Sequence, residues 1–263
     1  MSFEAIDMTQ IVPLVTGGSG GIGLGLVKEF LNHGSPKVLI TGRREEALVK
    51  VADEFQGKVF YKVSDSGQAA DRVALLKWVQ ENHPECNALV NNAGIQRRVD
   101  PVSDDASWEE RASEIEINVS GPIHLTTLFV PYFLAKPESV CILANVSSGL
   151  AFVPFCGGPV YAATKAAIHS YTMSMRYSLQ DTNVRVVEIV PPAVKTNLGG
   201  SHDFGEECDE YCAATMERIV AGEPEVGYKF SDVTRTADRA TSDAMMLQVA
   251  SMMNVQKYPA LSK

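Results

Sequence analysis

The sequence predicts an α/β protein built on a doubly wound parallel sheet with helices on both faces. Three observations carry that expectation. Short β-branched runs alternate with segments of helical period along most of the chain, which is the pattern of successive βαβ units. Most of the runs are continuously apolar, as strands covered on both faces are. The first run ends in a glycine-rich turn that opens a helix.

Taken in order, the strand candidates are "IVPLVT" (11–16), "KVLIT" (37–41), "KVFYKV" (58–63), "NALVN" (87–91), "SVCILANVS" (139–147) and "VRVVEIV" (184–190). Helical segments lie between them: "GIGLGLVKEFLNHG", "EEALVKVADEFQG", "SGQAADRVALLKWVQENHP", a long stretch near 103–135 and another near 158–180. Gly34 and Gly57 stand where helix C-caps fall. Pro13 is unexpected inside a central strand, because it removes a ladder donor. After residue 196 the pattern weakens to an acidic helix, a short strand at "EVGY" and a last apolar helix, "SDAMMLQVASMMNV". Met at several of its positions reads as core or subunit-interface packing. The expected organisation is one dinucleotide-binding domain over residues 1–263, with a substrate-loop region at 197–231 and no linker or repeat.

Composition narrows the function classes. The chain has 263 residues, 45% of them apolar, enough for a sizeable core. Lys and Arg number 23 against 32 acids, a formal charge of -9 without basic clusters, which argues against a nucleic-acid partner. No apolar stretch reaches the ~20 residues of a membrane helix, and the N-terminus has no signal-like pattern. The expected location is therefore cytoplasmic, without a membrane partner. Five cysteines, an odd count without a C-x-x-C pair, fit reduced thiols. Cys208 and Cys212 share a helix face near His202, but no fourth ligand is evident and no metal is expected.

"LVTGGSGGIGLGLV" places Gly17, Gly21 and Gly23 between the first strand and the first helix. Small residues there let the backbone approach a pyrophosphate, and the helix N-terminus offers free N–H groups and a positive dipole end. Glycines also make ordinary tight turns, but the strand–turn–helix context favours a dinucleotide. After strand 2, "ITGRREE" has Gly42 where an NAD-preferring fold carries an acid, followed by Arg43 and Arg44. An acid repels a 2'-phosphate, whereas a guanidinium binds it with charge-assisted bonds and stacks on adenine. The expected cofactor is NADP(H), with Arg43 the main contact. The competing reading pairs both arginines with Glu45 or Glu46 at a solvated helix start.

With the glycine turn written T-G-x-x-x-G-x-G (Thr16 to Gly23), the chain also carries "NNAG" (Asn91 to Gly94), "IN" at Asn118, "NVSS" (Asn145 to Ser148), "YAATK" (Tyr161 to Lys165) and "PPAVKTN". Together these resemble the short-chain dehydrogenase/reductase family in its compact single-domain form, in the family's order over residues 10–200. The resemblance implies a Rossmann fold and a set of roles. Thr16, Gly17, Ser19, Gly21, Ile22 and Gly23 form the cofactor turn. Asn91, Ala93 and Gly94 shape the wall beside the adenine ribose and support the sheet. Tyr161 and Lys165 match Y-x-x-x-K, Ser148 the serine thirteen positions earlier with Ser147 ranked second, and Asn118 the helix asparagine. Thr196, with the Val194 backbone, matches the nicotinamide contact. An aspartate common after strand 3 is Lys62 here, so only a backbone contact near Val63 carries over. Pro192 stands where glycine is usual. The resemblance further implies a homodimer or homotetramer, paired through the helices near 103–135 and 158–180.

Carbonyl reduction needs a hydride at carbon and a proton at oxygen. A free tyrosine titrates near 10, and moving it to about 7 takes about 4 kcal/mol, within reach of one or two nearby cations in a water-poor cleft. Lys165, one turn from Tyr161 on the same helix face, is such a cation. Tyr161 is thus the candidate acid in reduction and base in oxidation. Lys165 sets its ionisation and, by resemblance, holds the nicotinamide ribose. Ser148 hydrogen-bonds the substrate oxygen, and Asn118 positions a relay water. On its own the Tyr–Lys pair would read better as a packed aromatic beside a solvated lysine.

The substrate walls are expected from "IQRRVD" (95–100), "GLAFVPFCGGPV" and the acidic segment after Thr196. Phe152, Phe155 and Cys156 suggest an apolar face, and Gln96, Arg97 and Arg98 a polar one. The expected substrate is a small-molecule carbonyl or secondary alcohol, apolar or aromatic. A non-catalytic cofactor sensor or scaffold, and hydride transfer to an imine or enone, are the alternatives.

Overall fold

The computed structural model describes residues 3–97, 104–200 and 203–252. Seven strands, β1 (Pro13–Thr16), β2 (Val38–Gly42), β3 (Val59–Val63), β4 (Ala88–Asn91), β5 (Cys141–Val146), β6 (Val184–Ile189) and β7 (Glu225–Val226), form one sheet in the order β3-β2-β1-β4-β5-β6-β7. Every pairing is parallel. The strand order reverses between β1 and β4, which opens a crevice at their C-terminal ends.

Pro13 is accommodated by position. It is the first residue of β1, where a missing donor costs no ladder bond. The preceding amide, of Val12, is met by the Asn87 side chain at 2.8 Å.

Nine helices are found among the described residues: α1 (Gly21–Asn32), α2 (Glu45–Glu54), α3 (Ala69–Asn82), α4 (Trp108–Ile115), α5 (Gly121–Leu134), α6 (Pro159–Ser178), α7 (Cys208–Val220), α8 (Phe230–Thr236) and α9 (Arg239–Met252). Gly34 and Gly57 follow α1 and α2 with positive φ, as C-terminal caps do. The core has two halves, one on each face. Leu26, Val27 and Phe30 of α1, Leu48 and Val51 of α2, and Tyr211, Cys212 and Met216 of α7 pack against one face. Leu75 and Val79 of α3 and Leu125, Phe129 and Phe133 of α5 pack against the other.

Two features position the site. α1 and α7 pack so closely that a methyl group at Gly25 would lie 2.4 Å from the Cys212 Sγ. Between α4 and α5, the stretch Glu116–Ser120 is a π-helical turn that carries Asn118.

The last helix departs from the core reading of its methionines: no residue of α9 is buried within the chain. Residues 253–255 of its expected span lie outside the described ones. No described helix is long and apolar enough to cross a membrane.

Beneath α6 lies a charged cluster. Glu188, fully buried on β6, sits 3.0 Å from His169 Nδ1, and Glu225 on β7 is held by Arg176 at 3.8 Å and Arg235 at 3.4 Å. The imidazole meets Glu188 and the two guanidinium groups meet Glu225, so the cluster is an ion-pair network.

Candidate active site

A cleft of 1340 Å³ opens over the C-terminal ends of the strands and has two halves. One is lined by the glycine turn, by Gly42, Arg43 and Arg44 after β2, by Ser64 and Asp65 after β3, and by Asn92 to Gly94 after β4. The other is lined by Ile95 and Gln96, Leu150 and Phe155, Leu198 to Gly200, Phe204, Phe230, and Met245, Gln248, Val249 and Met252 of α9. Tyr161, Lys165, Ser147 and Ser148 lie at the junction.

The glycine turn is shaped by necessity. Gly17 and Gly21 have φ of 68° and 52°, the left-handed region that glycine occupies without strain. A methyl at Gly23 would lie 2.3 Å from the Gly17 carbonyl oxygen and 2.6 Å from Asn92 Nδ2. α1 is preceded by Gly20 at its N-cap, with no side-chain cap, which leaves its first N–H groups for an anion. This bare helix start and the space left by absent Cβ atoms fit a pyrophosphate. Both Arg43 and Arg44 are exposed at the rim, and among the described residues neither has an acid in ion-pairing distance. The pairing with Glu45 or Glu46 is therefore not formed.

Some expected contact residues act one layer behind the surface. The Thr16 hydroxyl accepts the amides of Asn92 and Ala93, both at 3.0 Å, and donates to Val90 O, tying β1 to β4. Asn91 is buried and donates to Asn145 Oδ1 at 2.8 Å. Val63 points outward at the end of β3, and Ser64 and Asp65 line the cleft instead. Thr196 faces Gly21, 3.2 Å from where a methyl there would stand. Val194 is buried in a bridge to Glu206 beside it.

The candidate acid sits on the first turn of α6. Tyr161 and Lys165 are both nearly fully buried, with Lys165 Nζ 5.5 Å from the phenol ring centroid and donating to Val146 O at 2.8 Å. Ser148 accepts the Leu150 amide at 3.1 Å and hydrogen-bonds the Tyr161 hydroxyl. Ser147 is turned to Ile189 O at 3.4 Å. In the chain by itself the phenol is not lowered as the sequence suggests: burial pushes Tyr161 up, opposed by the Ser148 hydrogen bond and helped by the Glu114 charge. Burial also pulls the Lys165 ammonium down to about 8, opposed by Glu114. Desolvation is the largest cause at both groups.

Asn118 is committed to the chain. Its Oδ1 accepts the Ile95 amide at 2.9 Å and its Nδ2 donates to Ile95 O at 2.8 Å. Gly94 leaves room beside it: a methyl there would lie 3.2 Å from Asn118 Oδ1 and 3.7 Å from Lys165 Nζ.

The substrate half differs in detail from expectation. Phe155 lines it, whereas Phe152 stacks on His169 with ring centroids 4.4 Å apart, and Cys156 is off the lining. Arg97 is held by Asp104 at 3.4 Å. Arg98 and His202 lie outside the described residues. Phe204 and Phe230 fall in the substrate-loop region expected at 197–231, whereas the α9 side chains are wall residues without a local sequence signal. Glu114 carried one: it stands four residues before Asn118, hence on the same helical face.

Comparison with known proteins agrees with this geometry. The short chain dehydrogenase family profile matches residues 11–206. An uncharacterized oxidoreductase, DltE of Bacillus subtilis, is 36% identical over 256 residues, covering 95% of this chain and all of that protein. The NADP-dependent 3-hydroxy acid dehydrogenase YdfG of Salmonella typhi is 31% identical over 215 residues, 82% of this chain and 85% of that one. Among solved structures, a short chain dehydrogenase of Burkholderia cenocepacia in complex with NADP superposes with a TM-score of 0.76 at 25% identity, covering 94% of this chain and 99% of that one. With the strand order, the glycine turn and the Tyr–Lys pair in their places, the chain belongs to the short-chain dehydrogenase family of oxidoreductases.

Proposed function

We propose that this protein is an NADP(H)-dependent carbonyl reductase, equally an alcohol dehydrogenase in reverse, with Tyr161 as general acid and base and an apolar carbonyl compound as substrate. The observation that carries the reading is the buried Tyr161–Ser148–Lys165 group at the junction of a pyrophosphate cradle and an apolar wall. Arg43 and Arg44, free at the rim, suit a 2'-phosphate, as do the NADP named for the Burkholderia structure and the NADP dependence named for YdfG.

The bound cofactor supplies the hydride. The chain does the rest. The cleft orients the carbonyl with its oxygen between Ser148 and Tyr161. Ser148 has an amide on its lone pair, and its hydroxyl hydrogen, which meets Tyr161 in the chain by itself, can turn to a bound carbonyl oxygen. As the substrate oxygen gains charge, Tyr161 gives up its phenolic proton to it, and Lys165 stabilises the phenolate left behind. Asn197 to Gly200, Phe204 and Phe230, with α9, form the wall over the substrate.

A 3-hydroxy acid, the substrate class in the YdfG name, would bring a carboxylate. Among the described lining residues, the charged ones are Arg43, Arg44, Asp65 and Lys165, all on the cofactor side or at the junction. The apolar half therefore suits an uncharged carbonyl better. Exposed Met173 and Tyr177 on α6 suit pairing with a second copy. Light scattering of a monomer at micromolar concentration would remove that part of the reading.

Steady-state oxidation of NADPH and NADH over a panel of apolar ketones, aldehydes and 3-oxo acids tests the proposal, with Tyr161→Phe as control. Turnover of apolar carbonyls with NADPH, lost in the control, is expected. Cofactor binding without turnover of any carbonyl would instead support a sensor or scaffold.

A further inference from the structure

We propose that Glu114 is a positioning residue for this chemistry, a buried carboxylate that holds the proton on the Tyr161–Lys165 pair and so biases the site toward carbonyl reduction. The inference rests on the general-acid reading of Tyr161.

Glu114 is 1% exposed, on α4, a helix that packs against α6. Carboxylates are seldom buried this far without a reason. One carboxylate oxygen accepts the Arg97 amide at 3.1 Å. Asn118, one turn further along, grips Ile95 at both its N–H and its carbonyl. The two side chains thus fix the strip Ile95–Arg97 where it forms the cleft wall. A neutral acceptor would suffice for that role, so the charge calls for its own explanation.

The groups that face this carboxylate are few. Arg97 approaches from the loop, and α6, which carries Tyr161 and Lys165, packs against the helix that carries Glu114. Neighbouring charges are engaged elsewhere: Arg111 with Asp104, and Glu116 with Arg72. Glu114 is a buried acid on the helix packed against the one that carries the pair, and its charge acts to raise the proton affinity of each. Burial raises the affinity of Glu114 for its own proton, and the Arg97 amide and the two cations oppose that. Without the anion, burial alone would draw the ammonium lower still, toward neutrality. The pair would then release a proton in the range where the reductase must hold one.

The balance is simple. The Tyr161 O–H bond breaks as the O–H bond of the product alcohol forms, the hydride comes from NADPH, and a solvent proton restores the phenol. Glu114 exchanges no proton with substrate. It sets the pH up to which the phenol stays loaded.

The test is the pH profile of kcat/KM for NADPH-driven reduction in the wild type, Glu114→Gln and Glu114→Asp. Gln keeps an acceptor for Arg97 but loses the charge; Asp keeps the charge with a shorter reach. The basic limb should move about one pH unit lower in the Gln variant, a shift of the size expected from one partly screened charge, and stay within about 0.3 unit of wild type in the Asp variant. NADPH affinity at pH 6, where the pair is protonated in every variant, should change by less than about twofold. Superimposable profiles for Gln and wild type would overturn the inference. So would equal shifts in Gln and Asp, or loss of NADPH binding at pH 6 in Gln, which would make the side chain a loop anchor. If Tyr161→Phe retained activity, the general-acid reading itself would fail. An inactive Phe variant beside an unmoved Gln profile would remove only the role of Glu114.

Discussion

The two halves of the cleft are built by different means. The cofactor half is made of main chain at strand ends, so tightly placed that one methyl at Gly23 would overlap the Gly17 carbonyl. The substrate half is made of side chains from late segments that bury little: Met252 is 73% exposed, and α9 has no buried residue. A ligand of fixed shape is met by backbone geometry that side-chain change cannot easily alter. A variable ligand is met by replaceable side chains on a lightly packed frame.

Substitutions can break or sharpen this contrast. At the junction, Tyr161→Phe should lower kcat by about 10³-fold, within the usual worth of a general acid, with NADPH affinity kept. On the cofactor side, Gly23→Ala should abolish measurable NADPH binding in a fluorescence titration and lower stability by about 1–3 kcal/mol through overpacking. Arg43→Asp should shift the kcat/KM ratio of NADPH to NADH by about 10–100-fold toward NADH, the worth of one charge-assisted contact. A wild type that uses both cofactors equally would show that the arginines do not read the 2'-phosphate.

On the substrate side the effects should be smaller and confined to KM. Met245→Ala, with Val249→Ala as its neighbour, should raise KM for an apolar ketone several-fold at nearly constant kcat, since each lost methylene is worth about 0.8 kcal/mol when buried. A drop in thermal stability above that of Gly23→Ala would show α9 to be structural after all.

The smallest expected effect lies below the junction. His169, eight residues beyond Tyr161, has its pKa raised by its hydrogen bond to Glu188. A raised histidine stabilises fully below its unfolded value near 6.5, and the contribution fades as pH rises through the folded value. Thermal midpoints should therefore decline modestly between pH 6 and 8 in the wild type, and the slope should flatten in His169→Gln.

The contrast also explains what was legible in the sequence. The strands were readable because burial on both faces demands unbroken apolar runs, and the cofactor turn because only glycine fits it. Ser148, Tyr161 and Lys165 were picked out by the motifs of the family the chain resembles, not by spacing alone, and the fold brings them together at one junction. That Ser64 and Asp65 line the cleft beyond Val63 was not legible, because the side chain that enters the cleft is decided by the turn after β3. The ionisation of Tyr161 was misjudged because a pairwise argument counts the lysine and omits desolvation. The place of α9 follows from tertiary packing, which leaves no clear periodic mark when a helix is only half-buried along one side. Phe152 differed for a like reason: an aromatic residue in a loop chooses between cleft and underlying helix, and His169 took it.

The π-helical turn at Glu116–Ser120 makes the site sensitive to chain length as well as to side-chain identity. Such a turn holds one residue more than an ordinary helical turn. Deleting a single residue from this stretch would give a regular helix running from α4 into α5, and would turn everything before the deletion by about 100° relative to everything after it. Asn118 and Glu114 could then no longer both reach the strip at Ile95–Arg97. Related chains that differ by one residue here would be expected to have lost the reaction while retaining the fold.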